Sequence, residues 1–288
     1  MARGLFVGLI PLDCIYQVEH VPASNEKLVA QRSLFLAGGP ATNAAVAFAY
    51  WRHQAVVLGG LGQHPITGLI RADLAEVGVE VMDLMPNYQA PPPISTILVN
   101  AATGDRAVVA GPGLDRPLAL PAPLADLVES MDIILIDGHQ MALGLAVAAL
   151  ARQRGIPVVI DAGSWKPGFE QLLPLATSVI AAASFRLPPQ ASPQGTRQAL
   201  CHLGIPEVAT SDGPHPIQYC WGQQQGAIAV PPVTVVDTLG AGDILHGAFC
   251  HYRLNHAFGP ALEKAAAVAA HSCQELGTRA WRQRPDFR

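Results

Sequence analysis

Residues 237–243 read Asp-Thr-Leu-Gly-Ala-Gly-Asp and run straight into a helical pattern. Glycines at a helix start leave backbone N–H groups unpaired and approachable, and the helix dipole favours negative charge there. A phosphate fits such a place. Asp243, directly after the turn, is positioned to take a proton from a hydroxyl. An anion hole made by Gly240, Ala241 and Gly242 beside a carboxylate base is the minimum equipment for moving a phosphoryl group onto an alcohol. Asp243 could equally serve as a cap or dipole partner. Ile244, Leu245, Ala248, Phe249 and Tyr252 fall on one helical face, so this helix packs inward and its amino end is fixed in place.

Other chemistries are excluded by what is missing. There is no G-x-x-x-x-G-K-[ST] phosphate loop, no G-x-G-x-x-G after the first strand, and no protein-kinase signature set. No HExxH or clustered His/Cys spacing supports a catalytic transition metal. The net charge of −4 offers nothing to nucleic acid or an anionic membrane. No stretch is long and apolar enough to cross a bilayer. Pro11 and Asp13 interrupt the apolar amino-terminal run, which argues against a signal peptide. The five cysteines are odd in number and lack a CxxC, so neither a zinc site nor a disulfide framework is expected, and a reduced, cytoplasmic protein is the simplest reading. The basic run from Arg279 to Arg288 reads as a solvated tail.

These residues need a frame. The chain has 288 residues, 50% hydrophobic and 14% charged, enough to bury a large core. Segments 4–10, 55–59, 133–137, 158–161, 179–182 and 207–211 read as strands. Segments 41–52, 66–77, 142–154, 243–254 and 260–276 read as helices. The alternation implies an α/β fold with a mainly parallel central sheet and helices on both faces. Segments 15–36 and 94–110 carry β-like patterns with no helix between them. We read the chain as a single domain over 1–288, with a small β lid from about 14–36 and 90–112 over the carboxyl edge of the sheet, where open α/β sheets bind ligands. Two ordinary surface hairpins are the alternative.

The longer motifs carry a family likeness. Asp237-Thr-Leu-Gly-Ala-Gly-Asp243, Gly38-Gly39-Pro-Ala-Thr-Asn43, Gly8-Leu-Ile-Pro-Leu-Asp13 and Gly59-Gly-Leu-Gly-Gln follow the order and spacing of the PfkB/ribokinase family of carbohydrate kinases. The resemblance covers nearly the whole chain and is strongest to ketohexokinase and sulfofructose kinase-like members. It implies a ribokinase-like fold, ATP and Mg²⁺ as co-substrates, a small sugar (a ketose or a related sugar) as acceptor, and Asp243 as general base. It places Asp13, Gly38, Gly39, Asn43, His139 and, from the lid, Lys27 at the acceptor. It places Lys166, Ser184, Thr210, Asp212, Gly213, Thr238 and Cys273 at the nucleotide. It leaves room for a monovalent cation, assigns no metal ligand, and is compatible with a homodimer through the lid. Each assignment has a plainer counterpart: Asn43 as a helix cap, Lys27 as a surface lysine, His139 as a structural histidine. In sulfofructose kinases the resemblance implies arginine at the place of His139, so histidine here argues against a sulfonated acceptor. The family's magnesium-organising Asn-x-x-Glu reads Ser184-Phe-Arg-Leu187 here. A nucleoside kinase of the same fold and a non-catalytic sensor are the competing readings.

Overall fold

Pro11 lacks an N–H and cannot continue a central strand. The structure is a computed structural model that describes residues 1–114, 118–283 and 287. In it the first apolar run divides into β1 (Arg3–Val7) and β2 (Leu12–Val18), which belong to different sheets. Asp13 therefore does not end the first strand, as the sequence suggested. It is the second residue of β2, paired with Leu36 and Ser95.

The chain continues through β3 (Arg32–Ala37), α1 (Pro40–Ala49), β4 (Gln54–Gly59), α2 (Thr67–Glu76), β5 (Val79–Asp83), β6 (Ile94–Asn100) and β7 (Arg106–Ala110). Next come α3 (Leu124–Glu129), β8 (Ile133–Ile136), α4 (Met141–Arg154), β9 (Val158–Ala162), α5 (Phe169–Leu172) and β10 (Ser178–Ala182). The last third holds α6 (Pro193–His202), β11 (Glu207–Asp212), β12 (His215–Trp221), β13 (Gln224–Ile228), α7 (Ala241–Arg253) and α8 (Phe258–Ser272).

The larger sheet has the order β13-β12-β11-β10-β9-β8-β1-β4-β5. From β11 to β5 every pairing is parallel, and β12 and β13 add an antiparallel edge. Side-chain alternation sends Phe6 of β1 into one apolar layer with α1, α7 and α8, and Leu5 and Val7 into the other with α4, α5 and α6. The strand order reverses around β1, so the carboxyl ends of β1 and β8 lie at the topological switch point, where open α/β sheets bind ligands. Beside it lies a four-stranded sheet, β3-β2-β6-β7, whose inner residues Ile15, Ile97 and Val99 pack on Leu276, Val236 and Leu239.

Two further expectations are corrected. Cys201 of α6 and Cys220 of β12 are joined as a disulfide, their Cα atoms 6.7 Å apart. Nothing in the cysteine spacing hinted at it, because only the sheet topology brings β12 beside α6. The basic run is not a solvated tail over its described part either: Trp281 is buried, and Arg279 is ion-paired to Asp73 at 2.8 Å. No helix among the described residues is long and apolar enough to cross a membrane.

Candidate active site

The turn before α7 is built to hold still. The two carboxylate oxygens of Asp237 accept from the backbone N–H groups of Leu239 and Gly277, each at 2.8 Å. The N–H of Val236 donates to the carbonyl of Cys273 at 2.8 Å, which joins the turn to the end of α8. Gly240 caps the helix with φ +70°, a conformation that side chains resist, and a Cβ there would also strike the Thr278 methyl. The first in-helix bond runs from Ile244 N–H to Gly240 O at 2.8 Å. The amides of Ala241, Gly242 and Asp243 are thus the first-turn donors that a helix cannot satisfy itself.

Asp243 lies at this amino end, with its Oδ2 accepting from Asn43 Nδ2 at 2.9 Å. Burial, aided by the Asp161 carboxylate, raises its pKa to about 7, against the pull of the Asn43 hydrogen bond and His246. Asp13 is buried nearby. Its pKa is pushed up to about 6 by burial, opposed by a hydrogen bond from Ser95 and by the Arg279 guanidinium. Gly38 has to lack a Cβ, because one would fall on the Asp13 carboxyl group. Gly39 is the N-cap of α1, the helix that carries Asn43.

At the end of β8, Asp137 closes a second buried turn. Its Oδ1 accepts from His139 N–H at 2.9 Å, and its Oδ2 accepts from the N–H groups of Leu9 (3.3 Å) and Ala41 (3.4 Å). Burial lifts its pKa to about 7. His139 is driven down to about 4 by burial and by the neighbouring Lys166 charge, so it is a neutral imidazole. Burial also lowers Lys166, opposed by Asp137 and Asp161. Asp161, at the end of β9, lies 3.6 Å from His246 of α7, whose ring nitrogens face the carbonyls of Gly242 (2.7 Å) and Ile180 (3.1 Å).

On the other side of the α7 terminus is a cleft of about 740 Å³. Of the seven residues assigned to the nucleotide, Ser184, Asp212, Gly213, Thr238 and Cys273 line it, and it reaches Gly242. Thr210 is buried behind it, with its hydroxyl unpartnered. Lys166 does not line the cleft, and its Nζ donates to the carbonyl and hydroxyl of Ser164 at 3.2 and 3.1 Å. Lys27 stands exposed on the loop joining β2 to β3. Phe185 and Leu187 are buried in the apolar core, so no carboxylate stands where the Asn-x-x-Glu motif would put one. Among the described residues no group of three His, Cys, Asp or Glu is spaced to hold a metal ion.

Sequence reasoning overlooked Asp137, Arg106 and the part Arg279 plays here. Asp137 follows the apolar strand 133–136, the same signal that singled out Asp13. Arg106 reaches from β7 to Thr238, with Nη1 2.6 Å from the hydroxyl and 2.9 Å from the carbonyl, and it lines the cleft.

A mainly parallel sheet with a topological switch point, and a glycine-started helix with a buried carboxylate at its amino end, are the features of a ribokinase-like phosphotransferase. The comparisons with known proteins agree. The model of the pfkB family carbohydrate kinases matches residues 1–284. The ribokinase of Arabidopsis thaliana is 24% identical over 94% of this chain and 75% of its own. A solved protein from Agrobacterium tumefaciens, provisionally described as a ribokinase, superposes with a TM-score of 0.86 at 26% identity, covering 98% of this chain and 95% of its own. The structure of Arabidopsis thaliana ribokinase complexed with ribose and ATP has the same fold, with a TM-score of 0.78 at 22% identity over 96% of this chain and 94% of its own. This chain belongs to the pfkB family of carbohydrate kinases.

Proposed function

We propose that the chain transfers the γ-phosphoryl group of ATP to a hydroxyl of a small sugar, with Asp243 as general base. The observation that carries this reading is the place of that carboxylate. It sits at the amino end of α7 beside the first-turn amides, is hydrogen-bonded by Asn43, and has a pKa of about 7. A base of that strength takes a proton near neutral pH without being permanently protonated.

ATP would occupy the 740 Å³ cleft, its base against the apolar wall of Ala266 and Ala269 and its phosphates toward Gly242. Arg106 and the α7 amides would hold charge on the transferring group. One such donor is typically worth ~3 kcal/mol of barrier. Magnesium would enter with ATP as substrate, since the family's motif position is filled by buried Leu187. Asp13 and Asn43 would orient the sugar hydroxyls, with Gly38 letting the backbone close in. His139, being neutral, could donate or accept but would not pair with an anion. The four-stranded sheet would act as a lid that excludes water and carries Lys27 on its loop.

The motif likeness favours a ketose, whereas the relatives named above are ribokinases. An adenosine-type acceptor is disfavoured, because the lid segments offer few aromatics to stack on a base, and two of them, Tyr16 and Phe35, pack edge-to-face on each other at 6.3 Å. ADP release from MgATP, measured with ribose, fructose, other ketoses and aldoses, sugar phosphates and adenosine, tests the reading. Turnover is expected with at least one free sugar and should vanish in Asp243→Asn. Sugar binding without ADP release across the whole panel would leave a sensor.

A further inference from the structure

Arg279 belongs to the basic run that looked solvated, yet its side chain is only 13% exposed and all of its N–H groups are engaged. Nε donates to Asp73 Oδ1 at 3.3 Å. Nη2 donates to Asp73 Oδ2 at 2.8 Å and to the carbonyl of Ala37 at 2.7 Å. Nη1 donates to Thr278 Oγ1 at 2.7 Å and to Asn43 Oδ1 at 3.0 Å. Asp73, from α2, also accepts the N–H of Ala37 at 2.9 Å, so the arginine is anchored to the start of the di-glycine segment.

An asparagine amide has one end that only accepts and one that only donates. Arg279 offers Asn43 only donors, and ionised Asp243 offers it only acceptors. One amide orientation satisfies both, and the flipped one would set N–H against N–H and oxygen against oxygen. We propose that Arg279 is a positioning residue for phosphoryl transfer: through Asn43 it fixes an N–H on Oδ2 of Asp243 and so leaves Oδ1 to take the acceptor proton. The guanidinium charge acts on Asp13 and is kept by lysine, so the effect on Asp243 runs through hydrogen-bond geometry. The other charged or titratable groups facing Asp243 are Asp161 of β9, Asp13 of β2 and His246 of its own helix. None of them selects the orientation of Asn43.

The inference rests on Asp243 acting as the base. Its test compares wild type, Arg279→Lys, Asn43→Ala, the double variant and Asp243→Asn, using MgATP with the sugar of the panel that is turned over fastest. Lysine keeps the charge but cannot span Asp73 and Asn43 with a planar fork. Arg279→Lys is expected to lower kcat/KM roughly 10- to 100-fold. It should also move the acid limb of the pH profile upward, because the hydrogen bond that favours ionised Asp243 is no longer held. The double variant should be no worse than Asn43→Ala alone. Costs that multiply, or an unmoved limb alongside a lowered Tm, would overturn the inference and mark Arg279 as structural only. Should the arginine variants not fold, Asn43→Ala decides by itself: an acid limb unchanged from wild type overturns it. Asp243→Asn separates the two claims. Retained turnover there removes the base and this inference together. An inactive Asp243→Asn with multiplicative costs removes only the role of Arg279.

Discussion

Asp243 is pulled two ways, and the conflict can be measured. Its pKa of about 7 in the folded chain stands against an ordinary 3.8. Between those values the folded state holds more protons than the unfolded one, so its contribution to stability falls as pH rises through that window. Asp137, at about 7, and Asp13, at about 6, act in the same direction. Asp243→Asn should therefore abolish sugar phosphorylation, a loss of roughly 10²–10⁴-fold. It should also raise Tm at alkaline pH by on the order of a few °C, with the gain gone in strong acid. Differential scanning fluorimetry across pH reads this, and a lower Tm at alkaline pH would mean that the ionised carboxylate is held by favourable contacts. In the wild type, kcat/KM should climb with pH through about 7 as the base ionises; an acid limb near the ordinary carboxylate value would reject the assignment. The proposed base and anion hole could be picked out in the sequence because they occupy four adjacent residues, 240–243. Arg279 could not, because it comes to the site from beyond α8, and linear spacing carries no trace of that meeting. Trp281 was the available hint, since an indole is seldom left in a solvated tail.

The site depends on how closely α1 and α7 approach. Gly247 sits where a Cβ would collide with the carbonyl of Ala44, one residue from Asn43. Gly247→Ala should force the helices apart, cost roughly 1–3 kcal/mol, and lower kcat more than it weakens ATP binding, because Asn43 and Asp243 ride on the two helices. Thermal melts with steady-state kinetics test this. Gly259, in the first turn of α8, has open space at its Cβ position and serves as the control. Gly259→Ala should be neutral or stabilising by up to about 1 kcal/mol. The long, strongly apolar elements of the large sheet were legible from periodicity alone. The β12–β13 hairpin was not, because Gln-rich β13 is a half-polar edge strand with a weak alternation. α6 was missed although Ser192 and Pro193 begin it in standard fashion, with the Ser192 hydroxyl accepting from Gly195 N–H at 3.0 Å. Only Thr196 and Leu200 are buried on that helix, too few to mark a face.

At the scale of the molecule, the four-stranded sheet leaves β3 and β7 as lateral edges, with Phe35 48% and Val109 72% exposed. Open edges with apolar side chains invite pairing with a second copy. A homodimer through the proposed lid should run as such in light scattering at micromolar concentration, and Val109→Lys should shift it toward monomer. A wild type that is monomeric throughout would remove the idea. The anchor of Asn43 has a consequence for biosynthesis. Arg279 follows every strand of both sheets in the chain. Because segments near the amino terminus fold first during translation, a ribosome-bound nascent chain can pair its strands while Asn43 still lacks Arg279 and the turn before Asp243 still lacks Cys273 and Gly277. The enzyme would then mature in two stages, sheets first and competence second, the second stage waiting on the short segment from Cys273 to Arg279.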